Sequence, residues 1–100
     1  MTPEDAEAVI IEVVRQIADE RGIEVAEVDS ETVLIGPEAF LDSVGLVSVV
    51  MEIEARLDED FGVEVSLTSD AAMSRERSPL RTVGSIREFV TEQVAARSGG

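Results

Sequence analysis

FLDSVGLVSVVMEIEARLDEDFG, residues 40–62, decides how the chain folds. Val50, Ile53, Leu57 and Phe61 stand 3, 4 and 4 residues apart, the spacing of one buried helical stripe. Leu46, Val47 and Val49 support the stripe, and Gly62 closes the helix. The helix opens on a small polar pair, Asp42-Ser43. Ser is a favoured N-cap, and an Asp just ahead of a helix is favoured by its dipole. As a cap, Ser43 would cost ~1 kcal/mol to replace by Ala. Val44 and Met51, two turns apart, fall toward the edge of the buried stripe and are expected to be partly exposed. An exposed hydroxyl beside an apolar pair suits a partner that docks there and modifies the hydroxyl. Met serves such docking because its thioether chain adapts to several surfaces.

Upstream, Thr2-Pro3-Glu4-Asp5 reads as a helix start, with Thr as N-cap, Pro at the first position and acids facing the dipole. Ala6, Val9, Ile10, Val13 and Ile17 then form one apolar face with Val14 alongside, and Arg21-Gly22 ends the helix. Residues 23–42 form a long connection. Its Ile23, Val25, Val28, Val33, Leu34 and Ile35 follow no sustained period, and they are expected to pin the loop to the core. Gly36-Pro37 marks a turn within it.

Downstream, Val63 and Val65 are extended, and Thr68, Ser69 and Asp70 can cap a short helix around 71–73. Residues 74–79 form a polar loop. Thr82 caps a last helix bearing Ile86, Phe89, Val90 and Val94, which frays at Ser98. The pattern predicts an all-α domain over residues 1–97: a small four-helix bundle with a short third helix, a long loop between helices 1 and 2, and a tail at 98–100.

Composition narrows the chemistry. One hundred residues, 44% of them hydrophobic, make one domain, with three Phe as the only aromatic residues. The chain has neither Cys nor His. Thiol nucleophiles, imidazole bases and the usual zinc sites are therefore excluded, and no base stands ready to activate Ser43. A catalyst is not expected. Residues 1–74 hold 19 acids and three Arg, a net −16, whereas residues 75–100 hold five Arg and three acids, a net +2. This field repels nucleic acid and anionic lipid and steers basic partners toward the chain. The acidic N-terminus is unlike a basic secretory leader, and no apolar run approaches the ~20 residues of a membrane span, so the expected compartment is the cytoplasm. Asp58-Glu59-Asp60-Phe61-Gly62 does not form a calcium loop, because its spacing lacks the required oxygens.

Leu41-Asp42-Ser43-Val44, opening an amphipathic helix in a small acidic four-helix domain, resembles the acyl carrier proteins, whose motif is Asp-Ser-Leu. The resemblance covers nearly the whole chain, including the last-helix entry Arg81-Thr82-Val83-Gly84-Ser85-Ile86. It implies that Ser43 is the attachment point for 4′-phosphopantetheine, transferred from coenzyme A by a phosphopantetheinyl transferase. The arm would supply the thiol that the chain lacks. It also implies that Asp42 helps hold a divalent metal in the transferase complex. Val44 and Met51 correspond to the family's apolar docking contacts, and Glu54 to one of its acidic ones.

The implied partners are acyl- or aminoacyl-loading ligases, synthases or transferases with basic docking surfaces, met by a monomer. Glu52, Asp58, Glu59 and Asp60 would add steering. Val47, Val50, Ile53, Leu57 and Ile86 are candidates for lining a cleft that shelters the cargo. Three features depart from the family pattern. Val44 replaces the usual Leu. Gly45 and Ser48 leave the early helix less acidic, and Gly45 costs it about 1 kcal/mol. The second helix and the 66–81 connection are longer than usual, and the connection carries Arg75, Arg77 and Arg81. Together they point to a specialised carrier in a fatty-acid, polyketide or related pathway. Two rivals stand beside it: an aminoacyl or peptidyl carrier, and an unmodified acidic interaction module.

Overall fold

A computed structural model of the chain describes residues 2–24, 27–34, 41–65, 67 and 80–99, with the backbone alone of Ser43 and of residues 97–99. The described residues form three helices: α1 (Pro3–Glu20), α2 (Ser43–Phe61) and α3 (Val83–Gly99). No strand occurs among them; Val33 and Thr82 form an isolated antiparallel bridge. The short helix expected around 71–73, the turn at 36–37 and the loop at 74–79 lie outside the described residues, as do Val25 and Ile35. No helix among the described residues is long and apolar enough to cross a membrane.

The helix ends follow from local chemistry. At α1, Thr2 and Asp5 form a reciprocal capping box: Asp5 N–H donates to Thr2 Oγ1 at 3.1 Å, and Thr2 N–H donates to Asp5 Oδ2 at 3.0 Å. Both α1 and α2 end on glycines in the left-handed region, Gly22 (φ 71°) and Gly62 (φ 65°), where a Cβ would be strained. Thr82 caps α3 by accepting from Ser85 N–H at 3.0 Å. The last helix extends to Gly99, past the Ser98 at which fraying is expected. Ala95, Ala96 and Arg97 are strong helix formers, and nothing before Gly99 breaks the run.

α1 is the central element and packs against both α2 and α3. Ala6, Val9, Ile10, Val13, Val14, Ile17 and Ala18 are all buried, so the α1 face wraps far enough to serve two neighbours. The remaining space is filled by Val28, Leu34, Leu41, Val65, Leu67 and Leu80. Val28 and Leu34 thus pin the long loop as expected. Its middle is latched to the start of α3: Leu34 N–H donates to Arg81 O at 2.7 Å, Val83 N–H to Thr32 O at 3.2 Å and Gly84 N–H to Ser30 O at 2.8 Å. Polar clamps flank α1. Arg56 of α2 reaches Glu12 at 3.2 Å and also meets Gln16, while Arg87 of α3 reaches Glu7 at 2.8 Å.

Two assignments in α2 require correction. Phe61 is not in the buried stripe but 39% exposed. The helix outruns the core by its last turn, and Gly62 turns the chain back so that Val65 and Leu67 occupy the apolar space. Val47 is 53% exposed and lines no interior cleft, whereas Val50, Ile53, Leu57 and Ile86 are fully buried as core. Val47 belongs to the outer face.

Candidate functional site

The first turn of α2 is built by Asp42. Its backbone is extended, and its Oδ1 accepts from Gly45 N–H at 2.7 Å, so Asp42 is the N-cap and Ser43 occupies the first helical position. The capping role that the sequence allowed for Ser43 is therefore taken by its neighbour. The reason is geometric: the residue before the first helical φ/ψ pair is the one whose side chain can reach the third amide. A second bond converges on the same oxygen, with Arg21 Nη2 donating to Asp42 Oδ1 at 3.0 Å. Arg21 ends α1, so this pair joins the end of one helix to the start of the next.

These donors set the ionisation of Asp42. The Gly45 amide is the largest influence and holds the carboxyl below its ordinary 3.8; partial desolvation opposes it, and the Arg21 guanidinium assists. Of the first amides in the helix, Gly45 is met by the Asp42 side chain and Leu46 by the Asp42 carbonyl at 2.9 Å. The amides of Ser43 and Val44 have no acceptor within the helix, by the geometry of any helix start. Such a terminus favours an anion. A phosphodiester attached at position 43 fits this donor set, with the positive Arg21 side chain against the same turn. Among the described residues, no cluster of three or more acidic groups is arranged to hold a metal ion.

Val44 is 65% and Met51 63% exposed, and Val47 joins them at the i+3 position. The three form an apolar stripe on the side of α2 turned away from the core. Ser48 donates its hydroxyl to Val44 O at 3.1 Å and stays on the helix surface. Glu54 is drawn elsewhere: its Oε2 accepts from Leu67 N–H at 2.7 Å, tying the chain after α2 back against the helix. Glu52 is engaged with Arg56 at 3.3 Å. The exposed acids of α2 are Asp58, Glu59 and Asp60, in its last turn.

The structure thus brings Asp42, Ser43 and Val44 into one turn, with Met51 two turns along the same helix, and gives Glu54 an internal partner. Sequence reasoning missed Arg21 and the outward placement of Val47. Arg21 lies 21 residues from Asp42, and its only local trace is the unfavourable Gly45. No family model, curated protein or solved structure matches this chain, so the site is read from its own residues.

Proposed function

We propose that this chain is a carrier domain of the acyl carrier type, modified with 4′-phosphopantetheine on Ser43. The observation that carries the reading is the division of labour at the start of α2. Asp42 does the capping, so the serine beside it is not needed for the helix, and an exposed apolar stripe runs along the helix from the very next residue. A serine held in that place, next to a docking face and at a helix terminus that favours an anion, is what a tether requires. In the modification, the Ser43 hydroxyl oxygen bonds to the pantetheine-bearing phosphorus of coenzyme A. The bond to the adenosine 3′,5′-bisphosphate leaving group breaks, and the hydroxyl proton passes to a base of the transferase.

The arm supplies a thiol for thioester carriage to a chain that has no Cys. Val44, Val47 and Met51 form the docking stripe, and Asp58, Glu59 and Asp60 steer basic partners over longer range. Glu54 contributes charge near the stripe while its carboxylate holds Leu67. Whether the cargo is acyl or aminoacyl is decided by the loading enzyme. The full four-helix bundle and a cytoplasmic setting belong to the same proposal.

The test is intact-mass measurement after incubation with coenzyme A and a broad-specificity phosphopantetheinyl transferase. Wild type should gain roughly 340 Da, the mass of the transferred arm, and Ser43→Ala should gain nothing. Because Ser43 does not cap α2, Ser43→Ala should also melt within a degree or two of wild type. No gain on a folded wild-type chain supports an unmodified acidic interaction module instead.

A further inference from the structure

Arg21 and Gly45 have no assigned part in carrying an arm, yet they meet in the turn that bears Ser43. Arg21 is anchored at its root: after it, Gly22 N–H donates to Asp19 O at 3.1 Å and Ile23 N–H to Ala18 O at 2.8 Å, a paired closure that fixes the end of α1. From there its guanidinium crosses to Asp42 Oδ1. Gly45 has little room for a side chain. A Cβ at this position would lie 3.1 Å from Arg21 Nε and Leu41 Cδ2, and 3.2 Å from Asp42 Oδ1. Gly is the poorest helix former after Pro. In the first turn of α2 it leaves room for the Arg21 guanidinium together with the Leu41 and Asp42 side chains.

We propose that Arg21 is a positioning residue for the modification of Ser43, acting through Asp42. The Asp42 side chain is 70% exposed, and on its own it would sample several rotamers. Two donors on one oxygen restrict it, and Oδ2 takes part in neither bond. The pair also fixes the first turn of α2 to the end of α1, so a transferase meets Asp42 and Ser43 in one arrangement. Gly45 belongs to the same unit by leaving space for Arg21. This inference rests on the carrier reading of Ser43.

The experiment is steady-state transfer from coenzyme A to wild type, Arg21→Ala, Arg21→Lys, Gly45→Ala and the Arg21→Ala/Gly45→Ala double variant. Arg15→Ala, which removes an exposed charge from α1, is the control, and each melting temperature is recorded. Arg21→Ala and Gly45→Ala should each lower kcat/KM for loading about tenfold, short of the roughly hundredfold that a 1 Å misplacement of a reacting group can cost. The double variant should lose clearly less than the two single losses combined, because both disturb the Arg21–Asp42 contact. Arg21→Lys should recover part of the rate, and Arg15→Ala should load like wild type. Gly45→Ala gains helix propensity but crowds Arg21, Leu41 and Asp42, so its melting curve should show it still folded at the assay temperature, which separates lost positioning from lost fold. Wild-type rates in both Arg21→Ala and Gly45→Ala overturn the inference, as do losses that add fully in the double variant. Wild type that loads while the variants are unaffected removes only the role of Arg21. Wild type that never loads removes the carrier reading and this role together.

Discussion

Asp42 caps α2 and pairs with the end of α1 through a single carboxylate oxygen, and this sets how the site responds to acid. Its folded pKa is lowered, so it binds a proton less readily in the folded chain than in the unfolded one. Its stabilising contribution is therefore full above the ordinary 3.8 and is lost as pH falls through the lower folded value. Asp5 behaves likewise, chiefly through the Thr2 amide and then its hydroxyl. Asp42→Asn keeps a capping oxygen but no longer titrates. Wild type should melt above Asp42→Asn at neutral pH, and the gap should close as the pH is taken below 3.8. A gap independent of pH contradicts this role. At this scale the Asp-Ser pair was legible, but which member caps was not. Helix starts read from sequence carry an uncertainty of one residue, and here that residue decides which of Asp42 and Ser43 is the N-cap.

The element that matters most is α2, whose two faces do different work. Its inner face, Val49, Val50, Ile53 and Leu57, is fully buried, while Val44, Val47 and Met51 run along the outside. Val47→Glu and Met51→Glu should each raise KM for a docking enzyme roughly tenfold, the size of a modest interface anchor. Both should leave stability within about 0.5 kcal/mol, as surface changes do. An unchanged KM with every cognate enzyme contradicts the docking role. Spacing alone could not assign Val47, because it lies three residues from Val50 and four from Met51 and fits either stripe. Phe61 misled for a related reason: its spacing continues the buried stripe, but periodicity does not say where the core stops. The bond that engages the half-buried Glu54 could not be foreseen, because its partner is the backbone of Leu67, beyond the end of the helix.

For the whole molecule, α1 is the central element and α2 and α3 are its two sides. Stability should follow apolar burial rather than the polar clamps. Ile53→Ala, at a fully buried position, should cost about 2–5 kcal/mol. Arg56→Ala, which removes the bridge to Glu12 and Glu52, should cost about 1 kcal/mol. Chemical denaturation of the two variants checks this, and comparable losses would contradict it. The three long helices were legible because Thr2, Gly22, Gly62 and Thr82 mark their ends with specific cap chemistry. The role of α1 as the shared partner, and the latch between Leu34 and Arg81, were not. Both depend on contacts between segments far apart in the chain, which no local pattern encodes. The all-helical class thus follows from local signals, whereas the joining of Arg21 to Asp42 is a product of the folded chain.

The most direct measurement uses the absence of cysteine. The unmodified chain contains no thiol, so any thiol found after loading belongs to an attached group. Following incubation with coenzyme A and transferase, and removal of small molecules, thiol titration of a carrier should give about one reactive group per chain on wild type. Ser43→Ala should give none. A folded wild-type chain that remains free of thiol under conditions that load other carriers would contradict the assignment of Ser43 as a tether.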